Sequence, residues 1–211
     1  MKLILSSCDF LNPNSRQTII DNLDKELNDC KVLFIPNQKA TYEKIHSEKY
    51  YNRLKEDGFL KKENIYIFDE SESEKFRNLN IDIIYISGGN TFATLDKIRK
   101  ANFENYIIEY IKKGVIYIGG SCGAHIVTKN IEHLLELDDN YVGITNFDAL
   151  GLFDGVIIPH CEAKEYTPEL REEIYNKLLE EGKYSVYKLT NEESLIVTED
   201  GITSVLKSLY K

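Results

Sequence analysis

The stretch Gly114-Val-Ile-Tyr-Ile-Gly-Gly-Ser-Cys-Gly-Ala-His-Ile126 decides the fold. Val115 to Ile118 is a short continuous apolar run, the pattern of a strand buried on both faces. Two glycines stop it, and a helical pattern starts just beyond them. Gly119-Gly120-Ser121-Cys122-Gly123 is therefore a G-x-S-x-G set between strand and helix. In a nucleophile elbow this motif places Ser on a sharp, strained turn. A Cβ at the flanking positions would meet the strand or helix packed on the turn. The helix start behind Ser121 leaves unpaired N–H groups for developing negative charge. The motif alone is weak, and the strand before and helix after give it weight. The bland alternative is a glycine-rich βα turn. A phosphate-cradling loop is disfavoured, because no Lys-Ser/Thr pair follows the glycines and no G-x-G-x-x-G is present.

The rest of the chain repeats this rhythm. Leu3–Ser6, Val32–Ile35, Ile65–Phe68 and Ile83–Ile86 read as strands. Helical periods separate them: Ile19, Ile20, Leu23 and Leu27 after Asn12-Pro13-Asn14-Ser15, then a very polar helix from Thr41 to Asp57 closed by Gly58. Ser71-Glu-Ser-Glu74 matches a capping box. Helical patterns at Phe92–Arg99 and Phe103–Lys113 precede the elbow. After it, an acidic irregular segment begins at Glu132. Gly155–His160 reads as a further strand, Thr167-Pro168 as a helix start with Thr as N-cap, and Gly182 as its stop. Tyr184–Leu189, Leu195–Val197 and Thr203–Leu206 read as strands, the last two joined by a hairpin signal, Asp200-Gly201. Alternating strands and helices predict an α/β fold of three layers: a mostly parallel sheet, helices on both faces, and a small β-hairpin region near the C-terminus. No repeat or linker interrupts residues 1–211, so one domain is expected.

The chain has 211 residues, 29% of them charged and 42% hydrophobic, with a net charge of −9. That length can bury a sizeable core. Acidic balance without a basic cluster argues against nucleic acid and anionic membrane as partners. No apolar run reaches the roughly 20 residues of a membrane helix. The apolar part of Met1–Asp9 is too short for a signal peptide, so a cytoplasmic protein is expected, monomeric or homodimeric. Cys8, Cys30, Cys122 and Cys161 are widely spaced with no C-x-x-C, so free thiols are expected and neither a zinc site nor a dithiol pair.

A nucleophilic Ser needs a base, an orienting group and oxyanion donors, gathered beyond the carboxyl ends of the strands. Of four histidines, His46 lies on the polar helix, His125 one turn past Ser121, and His133 in the acidic segment. His160 ends a strand and is the candidate base. The orienting acid is open among Glu136, Asp138, Asp139, Glu192 and Glu193. Glu192 is favoured because its turn, Thr190-Asn-Glu-Glu-Ser194, interrupts two apolar strands. Oxyanion donors are expected from the N–H of Cys122 and from the loop Gly88-Gly89-Asn90-Thr91. The alternative for that loop is a tight turn capping the next helix through Asn90 or Thr91.

These residues carry a family resemblance. Ser87-Gly-Gly-Asn-Thr91, Gly114–Ala124, Phe147-Asp-Ala-Leu-Gly-Leu-Phe153 and Ile158-Pro-His160 resemble, in order and spacing, peptidase family S51, the bacterial aspartyl dipeptidases of the class I glutamine amidotransferase-like proteins. The resemblance covers roughly residues 82 to 160. It implies Ser121 as nucleophile, His160 as base, Glu192 as third member, and Gly89 and Cys122 N–H groups as oxyanion hole. It also implies hydrolysis of short peptides, notably dipeptides with N-terminal Asp, without metal or cofactor. The family usually has Ala after the nucleophile, where this chain has Cys122. That keeps open a Cys122-centred hydrolase or redox-responsive protein of the same fold, although gapless alignment favours Ser121. The segment Cys161-Glu-Ala-Lys-Glu-Tyr166 also departs from the family. Lys164 and Arg171, with Asn90, are candidate substrate-binding residues, Arg171 for a carboxylate. A binding module that only kept the fold is the remaining alternative.

Overall fold

The structure, a computed structural model, describes residues 1–205. Its centre is a seven-stranded sheet. Strands β1 (Lys2–Ser6), β2 (Val32–Ile35), β3 (Ile65–Ile67), β4 (Ile83–Ile86) and β5 (Ile116–Gly120) run parallel. Strands β8 (Ser194–Thr198) and β9 (Gly201–Val205) extend it antiparallel, in the order β3-β2-β4-β5-β1-β8-β9. The expected hairpin is therefore the edge of the main sheet, and Leu206 lies outside the described residues. A second small sheet pairs β6 (Val156–Ile158) with β7 (Val186–Lys188), in parallel.

Alternation along each strand explains the continuous apolar runs. Leu3, Leu5, Leu33, Ile35, Ile84, Ile86 and Tyr117 point into one core. Ile4, Val32, Phe34, Ile83, Tyr85, Ile116 and Ile118 point into the other. With both faces covered, neither parity of the strand can be polar. The first face is covered by α4 (Thr91–Lys100), α5 (Glu104–Lys112) and α6 (Cys122–Ile126) through Phe92, Leu95, Ile98, Ile107, Ile111, Ala124 and Ile126. The second is covered by α1 (Pro13–Asp21), α2 (Tyr42–Ile45) and α3 (Lys49–Asp57) through Ile19, Ile45, Tyr50 and Leu54. Helix α7 (Pro168–Glu181) packs Ile174 and Leu178 on the small sheet.

Local signals hold with three corrections. Asn12 caps α1, its Oδ1 accepting from Asn14 and Ser15 N–H groups, and Gly58 closes α3 at φ 114°. The polar helix expected over Thr41–Asp57 is broken into α2 and α3, because Ser47 Oγ bonds backbone on both sides of the break. The cap at Ser71 belongs to Asp69, whose Oδ1 accepts from Ser71 N–H, and the segment Glu70–Phe76 is 3-10. Thr167 precedes α7 but makes no side-chain cap; its φ is 49°.

Candidate active site

Strands β1, β4 and β5 end on one rim, and the elbow stands there. Ser121 adopts φ 49°, ψ −107°. Such a conformation costs a non-glycine residue about 1–3 kcal/mol and persists only where surroundings over-determine it. Here Ser121 N–H donates to Ser6 O at 2.8 Å, and Ser121 O accepts from Ala124 N–H at 2.9 Å. Close approach explains the glycines: a Cβ on Gly119 would lie 2.6 Å from Gly123 O, and one on Gly120 or Gly123 would strike the Asp9 carboxylate or Ile86 O. The Ser121 hydroxyl does not cap its own helix. It lies 3.2 Å from His160 Nε2 instead.

His160 follows β6 through Pro159 and stands at φ 60°. Its N–H donates to Ser7 Oγ at 3.1 Å, and Ser7 in turn donates to Leu189 O at 3.3 Å. The end of β1 thus pins His160 to the elbow's side of the sheet. His160 Nδ1 lies 2.6 Å from Asn191 Oδ1. An amide oxygen only accepts, so Nδ1 carries the hydrogen and Nε2 presents its lone pair to the Ser121 hydroxyl. Burial holds the imidazole pKa below its ordinary value, against the Asn191 bond that raises it. The ring is therefore mostly neutral at pH 7, the form that can accept a proton.

The structure therefore brings Asn191, not Glu192, to the imidazole. Glu192 turns the other way and accepts from Asn14 Nδ2 at 3.1 Å. Glu193 accepts from Thr190 N–H at 2.7 Å. Neighbours on a turn diverge, and the sequence could locate the turn but not its phase. The other acids are also engaged elsewhere. Glu136 pairs with Lys177 at 2.9 Å and Asp138 Oδ2 accepts from Thr91 N–H at 3.0 Å, while the backbone carbonyl of Asp139 accepts from Asn90 Nδ2 at 2.8 Å.

The loop after β4 reaches the elbow. A Cβ on Gly88 would come 3.8 Å from Ser121 Cβ, while one on Gly89 would strike Asn37 Cβ at 2.5 Å. Asn37 Nδ2 donates to Gly88 O at 2.8 Å. Because that peptide is planar and trans, its Gly89 N–H points away from Asn37. Cys122 opens α6, so its N–H is one the helix cannot use. With five residues α6 has little macrodipole, and individual N–H groups are what it offers an anion. Asn90 serves as the α4 N-cap, accepting from Ala93 N–H at 2.9 Å, as the alternative reading of that loop had it.

Ser121 and His160 open onto a cavity of about 380 Å³, lined also by Asp9, Leu11, Gly88, Gly89, Asp138, Tyr166 and Arg171. Arg171 is 7% exposed; its Nε donates to Pro159 O at 2.7 Å and its Nη1 to Tyr166 O. Lys164 is exposed and lies outside this cavity. His125 is buried with Nδ1 3.1 Å from Thr91 Oγ1, and burial holds its pKa far below the ordinary value. His133, near Ile157 O, is pushed down to about 4 by burial. Cys122 Sγ is buried on the core side, 3.8 Å from Asn90 O, and burial pushes its thiol up to about 12. That leaves neither access nor thiolate for nucleophilic work. Among the described residues, His46, Asp69 and Glu72 alone bring three ligating groups within 4.8 Å of one another, and none lines the Ser121 cavity. The sequence reading missed Ser7, Asp9, Tyr166 and Asn191. Asn191 had a signal in the turn singled out for Glu192, and Tyr166 in the segment Cys161–Tyr166 that departs from the family; Ser7 and Asp9 had none.

An open, mostly parallel sheet thus presents a strained Ser against a His at the carboxyl ends of its strands, where α/β folds gather their sites. The model of peptidase family S51 matches residues 2–205, and the chain belongs to that family. It is 31% identical over 184 residues to the uncharacterized peptidase Lmo0363 of Listeria monocytogenes, covering 85% of this chain and 87% of that one. Peptidase E of Salmonella arizonae is 38% identical over 79 residues, 37% of this chain and 34% of the relative. A crystal structure of a candidate peptidase E from Listeria monocytogenes EGD-e superposes with a TM-score of 0.72 at 26% identity, covering 97% of both chains. A peptidase structure from an acI-B1 Actinobacterium shares the fold, with a TM-score of 0.64 at 16% identity. The protein is a peptidase of this family, and no helix among its described residues is long and apolar enough to cross a membrane.

Proposed function

We propose that this peptidase is of the serine type and cleaves short peptides through an acyl-enzyme on Ser121. The observation that carries the reading is the 3.2 Å approach of Ser121 Oγ to His160 Nε2 from a strained backbone. Ser121 Oγ attacks the peptide carbonyl as its proton passes to Nε2. The oxyanion is held by the Gly89 and Cys122 N–H groups. Nε2 then returns the proton to the leaving amine, and water, deprotonated by the same nitrogen, releases the acyl group. Asn191 keeps the hydrogen on Nδ1, the place the sequence reading gave to Glu192.

Small substrates are supported by the cavity, whose about 380 Å³ is near the lower end of ligand pockets. Arg171 and Asp138 line it together, which suits a zwitterion such as a dipeptide. Comparing Asp-Leu with Ala-Leu as substrates reads any preference for N-terminal Asp directly. The test of the chemistry is a serine-reactive phosphonate followed by intact mass. One adduct on the native enzyme and none on Ser121→Ala supports the reading. Hydrolysis that survives Ser121→Ala but not Cys122→Ala would transfer the role to the thiol.

A further inference from the structure

His160 is covered on one ring face. The Tyr166 ring stacks on the imidazole with centroids 4.1 Å apart and planes 13° from parallel. Tyr166 is itself 42% exposed, so it stands between the imidazole and solvent. The segment bearing it, Cys161 to Thr167, is a loop with a single 3-10 turn at Lys164–Tyr166. One side chain fastens both ends of that loop. Arg171, from the first turns of α7, donates through Nε to Pro159 O, just before the base, and through Nη1 to Tyr166 O, just at the stacked ring. Its guanidinium carbon lies 5.5 Å from the Tyr166 ring centroid. A guanidinium can bridge two carbonyls in this way because its donors form a rigid planar fork, which an ammonium does not offer.

We propose that Tyr166 and Arg171 are a positioning pair for the base: the Tyr166 ring orients and shields the His160 imidazole, and Arg171 clasps the loop that holds that ring in place. This rests on His160 acting as the base and assigns Arg171 a structural grip on the site rather than only a carboxylate to bind. The stack is geometric, an aromatic plate on an imidazole at a contact distance. It also contributes to keeping water from the ring, the cause that lowers the imidazole pKa. The titratable and charged groups facing the imidazole are Arg171 from α7, Glu165 from the loop and His125 from α6.

Tyr166→Ala is expected to lower kcat about tenfold to a hundredfold with little change in KM, for Asp-Leu and Ala-Leu alike. It is also expected to move the acid limb of kcat/KM to higher pH. Tyr166→Phe keeps the ring and should restore both. Arg171→Lys keeps the charge but not the fork, and should follow Tyr166→Ala. A KM effect confined to Asp-Leu would instead make Arg171 a carboxylate binder and overturn the clasp. Wild-type kcat and acid limb in Tyr166→Ala would overturn the stack. The His160 Cε1–H proton NMR titration supplies a readout independent of turnover. In the Ser121→Ala background its midpoint should still rise on Tyr166→Ala. If Ser121→Ala keeps full activity while that rise is seen, the catalytic reading fails and the stack survives. Unchanged far-UV circular dichroism and an unchanged urea midpoint in each variant separate positioning from misfolding.

Discussion

Asn191 Oδ1 lies 2.6 Å from His160 Nδ1, while the carboxylate of the next residue, Glu192, turns to Asn14. A neutral amide fixes the tautomer of the imidazole without adding charge. It does not stabilise the imidazolium as a carboxylate would, in keeping with a pKa held low by burial. Asn191→Ala should therefore lose about 10²-fold or more in kcat, on the scale of acid–base contributions. Asn191→Asp should keep the hydrogen bond and raise the imidazole pKa, moving the acid limb of kcat/KM to higher pH. Wild-type kcat in Asn191→Ala beside a dead Glu192→Ala would return the role to the acid.

Strain at Ser121 yields a second expectation. Its φ of 49° suits glycine better than serine. Ser121→Gly should be inactive yet more stable by about 1 kcal/mol, the relief of strain less the cost of glycine's freedom in the unfolded chain. Ser121→Ala keeps the strain and should not gain. Denaturant midpoints of the three proteins decide it, and equal midpoints would mean that the elbow stores nothing.

The thiol beside Ser121 should be silent. With Cys122 at about 12, its thiolate fraction at pH 8 is on the order of 10⁻⁴. Iodoacetamide should leave Cys122 unmodified at pH 8 until urea unfolds the chain. Cys122→Ala should keep its hydrolytic activity, because alanine retains the backbone N–H proposed for the oxyanion. Rapid labelling of the folded protein at Cys122 would revive the thiol-centred alternative.

Under the elbow, Asp9 packs against Gly120 and is 2% exposed, with Arg53 Nη2 3.9 Å from its Oδ1. Burial pushes its carboxyl from 3.8 up to about 6, against the Arg53 charge. The folded state thus holds this proton more tightly than the unfolded chain. The associated stability is complete below about pH 4 and lost as pH rises through about 6, up to about 3 kcal/mol. Asp9→Asn tolerates the φ of 43° and should be more stable than wild type at pH 7, the difference closing toward pH 4. Urea midpoints at the two pH values check it; a constant difference would mean that Asp9 does not titrate in this window.

Along the chain, short-range chemistry determined a great deal. Continuous apolar strands announced a sheet buried on both faces, glycines on either side of Ser121 announced the close contacts at Ile86 and Asp9, and Pro159-His160 at a strand end placed an imidazole on the elbow's rim. Each is a local rule of sterics or burial, legible wherever it occurs. The polar helix was misread because Ser47 bonds its own neighbourhood, an alternative to helix that period alone does not reveal. What only the tertiary structure decided is which side chains from distant segments meet. Asn191 rather than Glu192 faces the imidazole because a turn's phase is set by the strands it joins. Ser7 and Tyr166 reach His160 because β1 and the loop before α7 converge on the same rim. Such meetings depend on sheet order and helix packing summed over the whole domain, and no stretch of sequence contains them.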